Sequence, residues 1–148
     1  MAIRNIVLEG DEILRKRCKP VTAFDDKLHT LLDDMKETMY ASNGVGLAGS
    51  QVGVLKRVFV MDVQDGKGFI EFVNPEIVET KGSQTGCEGC LSIPDFQGNV
   101  ERPAYVRIIA FDRYGNEFEY SSGDLGAVCV SHENDHLDGI LFRDKVIE

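Results

Sequence analysis

Near the C-terminal end of the sequence stands His132-Glu133-Asn134-Asp135-His136, and this stretch constrains the fold most. An α-helix turns once every 3.6 residues, so side chains four apart lie one above the other on the same face. If the stretch is helical, His132 and His136 point at one spot. The flanking residues predict that helix. Asp124 can cap its N-terminus, Leu125 to Ser131 contains no proline, and Gly139 stands where a helix would stop.

Two imidazoles at that spacing can share one metal ion, and Glu133 follows the first of them without the helical phase to be a ligand itself. This is the His-Glu-x-x-His pattern of zinc hydrolases, in which the glutamate is the general base. The same five letters also describe two satisfied histidines on an ordinary helix. A third ligand and an oxyanion donor are therefore what the rest of the chain has to supply.

The chain has 148 residues, an apolar fraction of 43% and a charged fraction of 28%, which predict one domain over 1–148 with a real core. No apolar run approaches the length of a membrane span. The first residues lack the apolar stretch and cleavage site of a signal peptide, so a cytoplasmic location is expected. With 16 basic against 25 acidic residues, the net charge is -9. That balance argues against non-specific binding to nucleic acid or to an anionic membrane. In a reducing cytosol, Cys18, Cys87, Cys90 and Cys129 are expected as thiols or metal ligands rather than disulfides.

From the N-terminus, an extended start leads to a short turn of helix over Glu12 to Arg17. Residues 25–42 predict a long helix, because Leu28, Leu31, Leu32, Met35 and Met39 recur at three- and four-residue spacing. His29 lies off that stripe and is expected to be solvated. Residues 43–53 carry four glycines (Gly44, Gly46, Gly49 and Gly53) and predict a loop whose backbone approaches something closely. The lysine and hydroxyl of a phosphate loop are missing, and the order of elements is wrong for a dinucleotide loop. Val54 to Val63, Phe69 to Val73 and Ile77 to Thr80 read as strands, the last two separated by an Asn74-Pro75 turn. Ala104 to Phe111 and Asn116 to Tyr120 read as a hairpin. The expected class is α+β: mostly antiparallel sheets packed around the C-terminal histidine helix, with a second long helix near the N-terminus.

The third ligand is sought in Gly86-Cys87-Glu88-Gly89-Cys90-Leu91-Ser92. Two cysteines and two histidines could close a structural zinc site. Zinc fingers, however, separate the pairs by about a dozen residues, whereas residues 91–131 lie between Cys90 and His132. The other arrangement uses one thiolate and two imidazoles and leaves a coordination position open, as catalytic sites do.

Gly44-Val45-Gly46-Leu47-Ala48-Gly49-Ser50-Gln51, Glu88-Gly89-Cys90-Leu91-Ser92 and His132-Glu133-Asn134-Asp135-His136 together resemble, in order and spacing, the three signature motifs of peptide deformylases, in their compact bacterial form. The resemblance implies a hydrolase of N-terminal processing in protein biosynthesis, which removes the formyl group from the formyl-methionine of newly made proteins. It implies one divalent metal held by Cys90, His132 and His136, with Fe2+ expected and Zn2+ or Ni2+ able to substitute. Glu133 is then the acid/base, and the Gln51 side chain and the Leu91 backbone N–H are the oxyanion donors. Gly44, Val45 and Gly46 are expected to line the substrate backbone. Ile93, Leu125, Val128 and Cys129 are candidates for the methionine pocket. N-formyl-methionyl peptides and nascent chains are the expected partners, with transient ribosome contact and without direct nucleic-acid binding.

Glu88 and Arg102 are expected to pair and brace the Cys90 loop. Asp135 either orients a neighbour or is solvated. The family usually has alanine where this chain has Gly49, and often proline where it has Ser50. Both changes enlarge the unfolded ensemble, so restoring Ala and Pro is expected to stabilise the chain. They also motivate an alternative, a non-catalytic metal- or peptide-binding relative. A general metallopeptidase is the other competing reading, against which the cysteine ligand and the Gln51 loop speak.

Overall fold

The computed structural model describes residues 2–147. Its architecture follows from a short run, Val58-Phe59-Val60-Met61, buried on both faces. Side chains alternate across a strand, so Val58 and Val60 join one apolar cluster while Phe59 and Met61 join another. A helix covers each face. Helix α1 (Asp26–Ala41) brings Leu28, Leu31, Leu32, Met35 and Met39 to the first cluster. Helix α2 (Asp124–Leu137) brings Ala127, Cys129, Val130 and Leu137 to the second. There Phe59 and Phe72 stack with ring centroids 4.6 Å apart.

The strands are β1 (Gly46–Ala48), β2 (Val58–Met61), β3 (Ile70–Lys81), β4 (Gln84–Cys90), β5 (Ile93–Arg102), β6 (Tyr105–Phe111) and β7 (Glu117–Gly123). Five form one antiparallel sheet in the order β1-β2-β3-β6-β7, and β4 and β5 form a separate antiparallel pair. The α+β class and both long helices match the expectation, as does the hairpin of β6 and β7. Asp25 caps α1, accepting from the Leu28 N–H at 3.1 Å. The turn of helix near the N-terminus is a 3₁₀ turn, Glu12–Arg15. No helix among the described residues is long and apolar enough to cross a membrane.

Several local expectations are corrected. The glycine-rich segment is not all loop: it contains β1 and a 3₁₀ turn, Gly49–Val52. The strand expected from Val54 starts only at Val58, because the Val54 N–H is drawn back to the Gly49 carbonyl at 3.0 Å. The strands expected either side of Asn74-Pro75 are one strand, β3, interrupted by a bulge. Proline lacks the N–H of a ladder position and is tolerated at such a bulge. Asn74 takes a φ of 49° there, and its amide pairs with both backbone groups of Val21. Asp124 does not cap α2 through its side chain; Gly123 is the N-cap and Asp124 the first helical residue. His29 is not simply solvated, since its Nε2 meets the Arg113 carbonyl at 2.9 Å and its ring stands edge-on to Tyr114.

Gly49 is not a loose residue. A Cβ built there lies 2.9 Å from the Val54 carbonyl oxygen, 3.0 Å from that of Lys56 and 3.2 Å from a Val58 methyl. Alanine would reduce the unfolded chain's freedom by an amount worth about 0.4–1 kcal/mol, whereas overpacking typically costs about 1–3 kcal/mol. We therefore expect Gly49→Ala to lower unfolding stability by about 1 kcal/mol in urea titration. A rise would show that the Val54 carbonyl yields freely.

Candidate active site

Three elements from different parts of the chain meet in a cleft of about 490 Å³. Helix α2 carries His132, Glu133 and His136, the end of β4 carries Cys90, and the 3₁₀ turn after β1 carries Gln51. The ligand atoms of Cys90, His132 and His136 all lie within 4.8 Å of one another, and Cys90 Sγ is 3.4 Å from His136 Nε2. Cys87 stands outside this group. It is exposed at the cleft, with its sulfur 3.9 Å from Gln97 Oε1.

The charges around the histidines are organised by Glu88. Arg102 grips it with both arms of its fork, Nε to Oε2 at 2.8 Å and Nη2 to Oε1 at 2.9 Å. The Oε1 atom also meets His132 Nδ1 at 3.0 Å, which leaves Nε2 as the ring nitrogen free for the site. Burial alone would push the Glu88 carboxyl up, but Arg102 and His132 outweigh it and hold it at about 2. Burial would likewise drive a proton off His132. Cys90, Glu88 and Glu133 reverse that and raise its pKa to about 10. Burial and the neighbouring positive charge of His132 and Arg102 hold His136 well below the usual histidine range. The negative field at this point calls for positive charge, which a proton or a divalent cation can supply.

Glu133 is buried, and its Oε1 has no hydrogen-bond partner among the described residues. Burial, partly opposed by His132 and Arg102, pushes its pKa up to about 7. A carboxyl poised near neutrality can both take and give a proton. Its position depends on Gly46, where a Cβ would lie 2.7 Å from Glu133 Oε2 and 2.8 Å from Cys129 Sγ. Gly44 similarly makes room for Leu91, whose Cδ1 would be 2.7 Å from a Cβ there.

Gln51 is buried and held from both ends. Its Oε1 accepts from the Ala48 N–H at 3.0 Å, and its Nε2 donates to Ser92 Oγ at 3.1 Å and faces Cys90 Sγ at 3.5 Å. The amide therefore presents its N–H side to the ligand cluster. Gly44, Val45, Gly46, Leu91, Ile93, Leu125, Val128 and Cys129 all line the cleft, and β1 is an edge strand of the sheet beside it. Asp135 is half-buried and orients a neighbour, accepting from Arg102 Nη1 at 2.7 Å. Sequence reasoning missed Ser92, which fixes the Gln51 amide, although it lies inside the Cys90 motif. It also missed Phe142, whose ring stacks on His132 at 5.9 Å; nothing local in the sequence marks that contact.

The donor set fits a metal. One sulfur and two imidazole nitrogens this close suit zinc or iron, and the three leave a tetrahedral position open.

A family model described as polypeptide deformylase matches residues 3–148. A peptide deformylase of Acetivibrio thermocellus is 58% identical over 99% of this chain and 85% of that protein. The crystal structure of a peptide deformylase from Legionella pneumophila superposes with a TM-score of 0.95 at 47% identity, covering 98% of this chain and 86% of that one. That from Thermotoga maritima gives 0.96 at 40% identity over the whole of both chains.

Removing Arg102 would strand the Glu88 charge in a buried site. We expect Arg102→Met to cost about 3–5 kcal/mol of unfolding stability at neutral pH. Because the folded carboxyl titrates at about 2 and its ordinary value is 4.5, its contribution is complete above pH 4.5 and is lost as pH falls toward 2. Urea titrations across that window should show the loss in the wild type and a smaller one in Arg102→Met. Equal acid sensitivity would contradict the pairing.

Proposed function

The chain belongs to the polypeptide deformylase family, and from that premise we propose which of its residues perform the hydrolysis of formyl-methionyl peptides. The single observation that carries the reading is the buried, near-neutral carboxyl of Glu133, whose Oε1 has no hydrogen-bond partner among the described residues, next in sequence to His132 of the Cys90–His132–His136 cluster.

Cys90, His132 and His136 would hold one divalent cation, for which iron is our choice. When bound, such an ion lowers the pKa of water toward neutrality and polarises a carbonyl oxygen. Glu133 takes the proton from the attacking water as the new C–O bond forms on the formyl carbon. The Gln51 amide and the Leu91 backbone N–H donate to the oxyanion that develops there; each such donor is typically worth a factor of about 100–1,000 in rate. As the C–N bond breaks, Glu133 passes its proton to the departing nitrogen, giving formate and a free α-amino group.

The substrate enters extended. Gly44, Val45 and Gly46 precede and begin the edge strand β1, where a peptide backbone can add as a further strand. Ile93, Leu125, Val128 and Cys129 offer the apolar surface a methionine side chain needs. Residues 1–148 act as one catalytic domain in this reading. Its substrates are nascent chains in the cytoplasm, met during transient contact with the ribosome. A non-catalytic relative is not supported. Gly49 is a packed residue rather than a slack one, and the Gln51 that follows is clamped at both ends.

One assay tests the assignment of the base. Glu133→Gln should lower deformylation of a formyl-methionyl peptide by at least about 100-fold while metal content stays at the wild-type level. Gly46→Ala should reduce kcat by about 10- to 100-fold, because the new methyl displaces the Glu133 carboxylate. Loss of metal in Glu133→Gln would make Glu133 a ligand and rule it out as the base.

A further inference from the structure

We propose that Lys145, at the end of the C-terminal 3₁₀ turn Phe142–Lys145, is a positioning residue for His132, acting through Asp135, Arg102 and Glu88. The links are continuous. Lys145 Nζ lies 3.0 Å from Asp135 Oδ2, and Arg102 Nη1 lies 2.7 Å from the same oxygen. Arg102 then forks Glu88, and Glu88 Oε1 meets His132 Nδ1 at 3.0 Å. Along this chain the side chains pass from 44% exposed at Lys145 through 15% at Asp135 to 3% at Arg102, 6% at Glu88 and 9% at His132. The buried Glu88 and Arg102 and the half-buried Asp135 have to settle their charge among themselves, and Lys145 is the most exposed member of the chain.

The segment that carries Lys145 is seated by backbone and shape. Val146 bridges to Val100, and the Ile147 N–H donates to the Asn99 carbonyl at 2.9 Å. Gly98 leaves the room Val146 fills, since a Cβ there would lie 2.8 Å from both Val146 methyls. Phe142 on the same turn is buried and stacks on the His132 ring at 5.9 Å, nearly parallel at 26°. The segment thus meets His132 twice, once through the ring on its face and once through the ion chain to its Nδ1. With Asp135 shared between two cations, Arg102 is directed toward Glu88 with its fork aligned. Without Lys145, the Asp135 carboxylate pairs with Arg102 alone among the described cations and can turn it away from Glu88.

The proposal rests on His132 as a metal ligand, and the test separates the two. Cobalt(II) is loaded into the full chain, and its visible spectrum and its release to a chelator are recorded. Lys145→Met keeps the apolar stem of a half-exposed side chain, so folding is not at stake. It should release cobalt about 3- to 10-fold faster, less than the 10- to 100-fold typical of a ligand's direct partner, with a shifted visible band. Lys145→Arg should restore both. Arg15→Gln cuts another tether of the same turn, the Arg15–Asp144 pair, without touching Asp135, and should release cobalt at the wild-type rate. In about 1 M salt the Lys145→Met and wild-type rates should draw closer without converging, because a contact pair with one half-buried partner is only partly screened. Wild-type release and spectrum in Lys145→Met would overturn the proposal, and so would Arg15→Gln matching it, since anchoring alone would then be the cause. Failure of the wild type to bind cobalt would overturn the reading of the metal site itself.

Discussion

Glu88 is the point on which the site turns. Its carboxylate accepts from a guanidinium on β5 and from an imidazole on α2 while sitting in β4. The two-stranded β4–β5 unit shares no strand pairing with the five-stranded sheet; backbone bonds from Glu9 to Ser92 and from Ile147 to Asn99 seat it, and side chains tie the Cys90 end to the histidine helix. A buried charge left unpaired costs several kcal/mol, whereas a charge gripped by a bidentate partner is held to one geometry. The Glu88–Arg102–His132 cluster therefore works together with those backbone ties to hold the thiol near the imidazoles.

The rest of the fold supplies rigidity from the other side. β2 is buried on both faces and locks α2 to the sheet, and β1 pairs with β2 at its edge. The Gln51 amide and the Glu133 carboxyl thus approach from elements attached to one core. The two glycines that matter, Gly44 and Gly46, are there because Leu91 and Glu133 occupy the space a Cβ would need. The raised pKa of Glu133 is a burial effect: it is the desolvated member of a group whose other carboxylate, Glu88, is held by Arg102 and His132.

Much of this was legible in the sequence, for reasons that differ by element. The α1 stripe and the β6–β7 hairpin could be read because periodicity and turn residues are local signals. The histidine spacing foretold a helix and its shared face, and the three motifs pointed to the family that the relatives and solved structures share. The β4–β5 hairpin that carries Cys90 left no trace in periodicity, because glycines and exposed polar residues interrupt β4 and the few apolar residues of β5 do not alternate. The Asn74-Pro75 pair reads as a turn by propensity, yet the Val21 backbone waiting for the Asn74 amide makes it a bulge. Gly49 looks permissive in a sequence, and only the carbonyls around it reveal tight packing. Long-range side-chain contacts such as Phe142 on His132 have no local signature at all.

The most direct test of this centre is X-ray absorption on protein purified without oxygen, which reads the bound element and its ligands together. One metal per chain is expected, iron by our choice, with a single sulfur and two imidazole nitrogens among its ligands and the remaining positions filled by oxygen. Two sulfurs, which would bring Cys87 into the shell and close the site, or a metal with no sulfur at all, would contradict an open centre built on Cys90, His132 and His136.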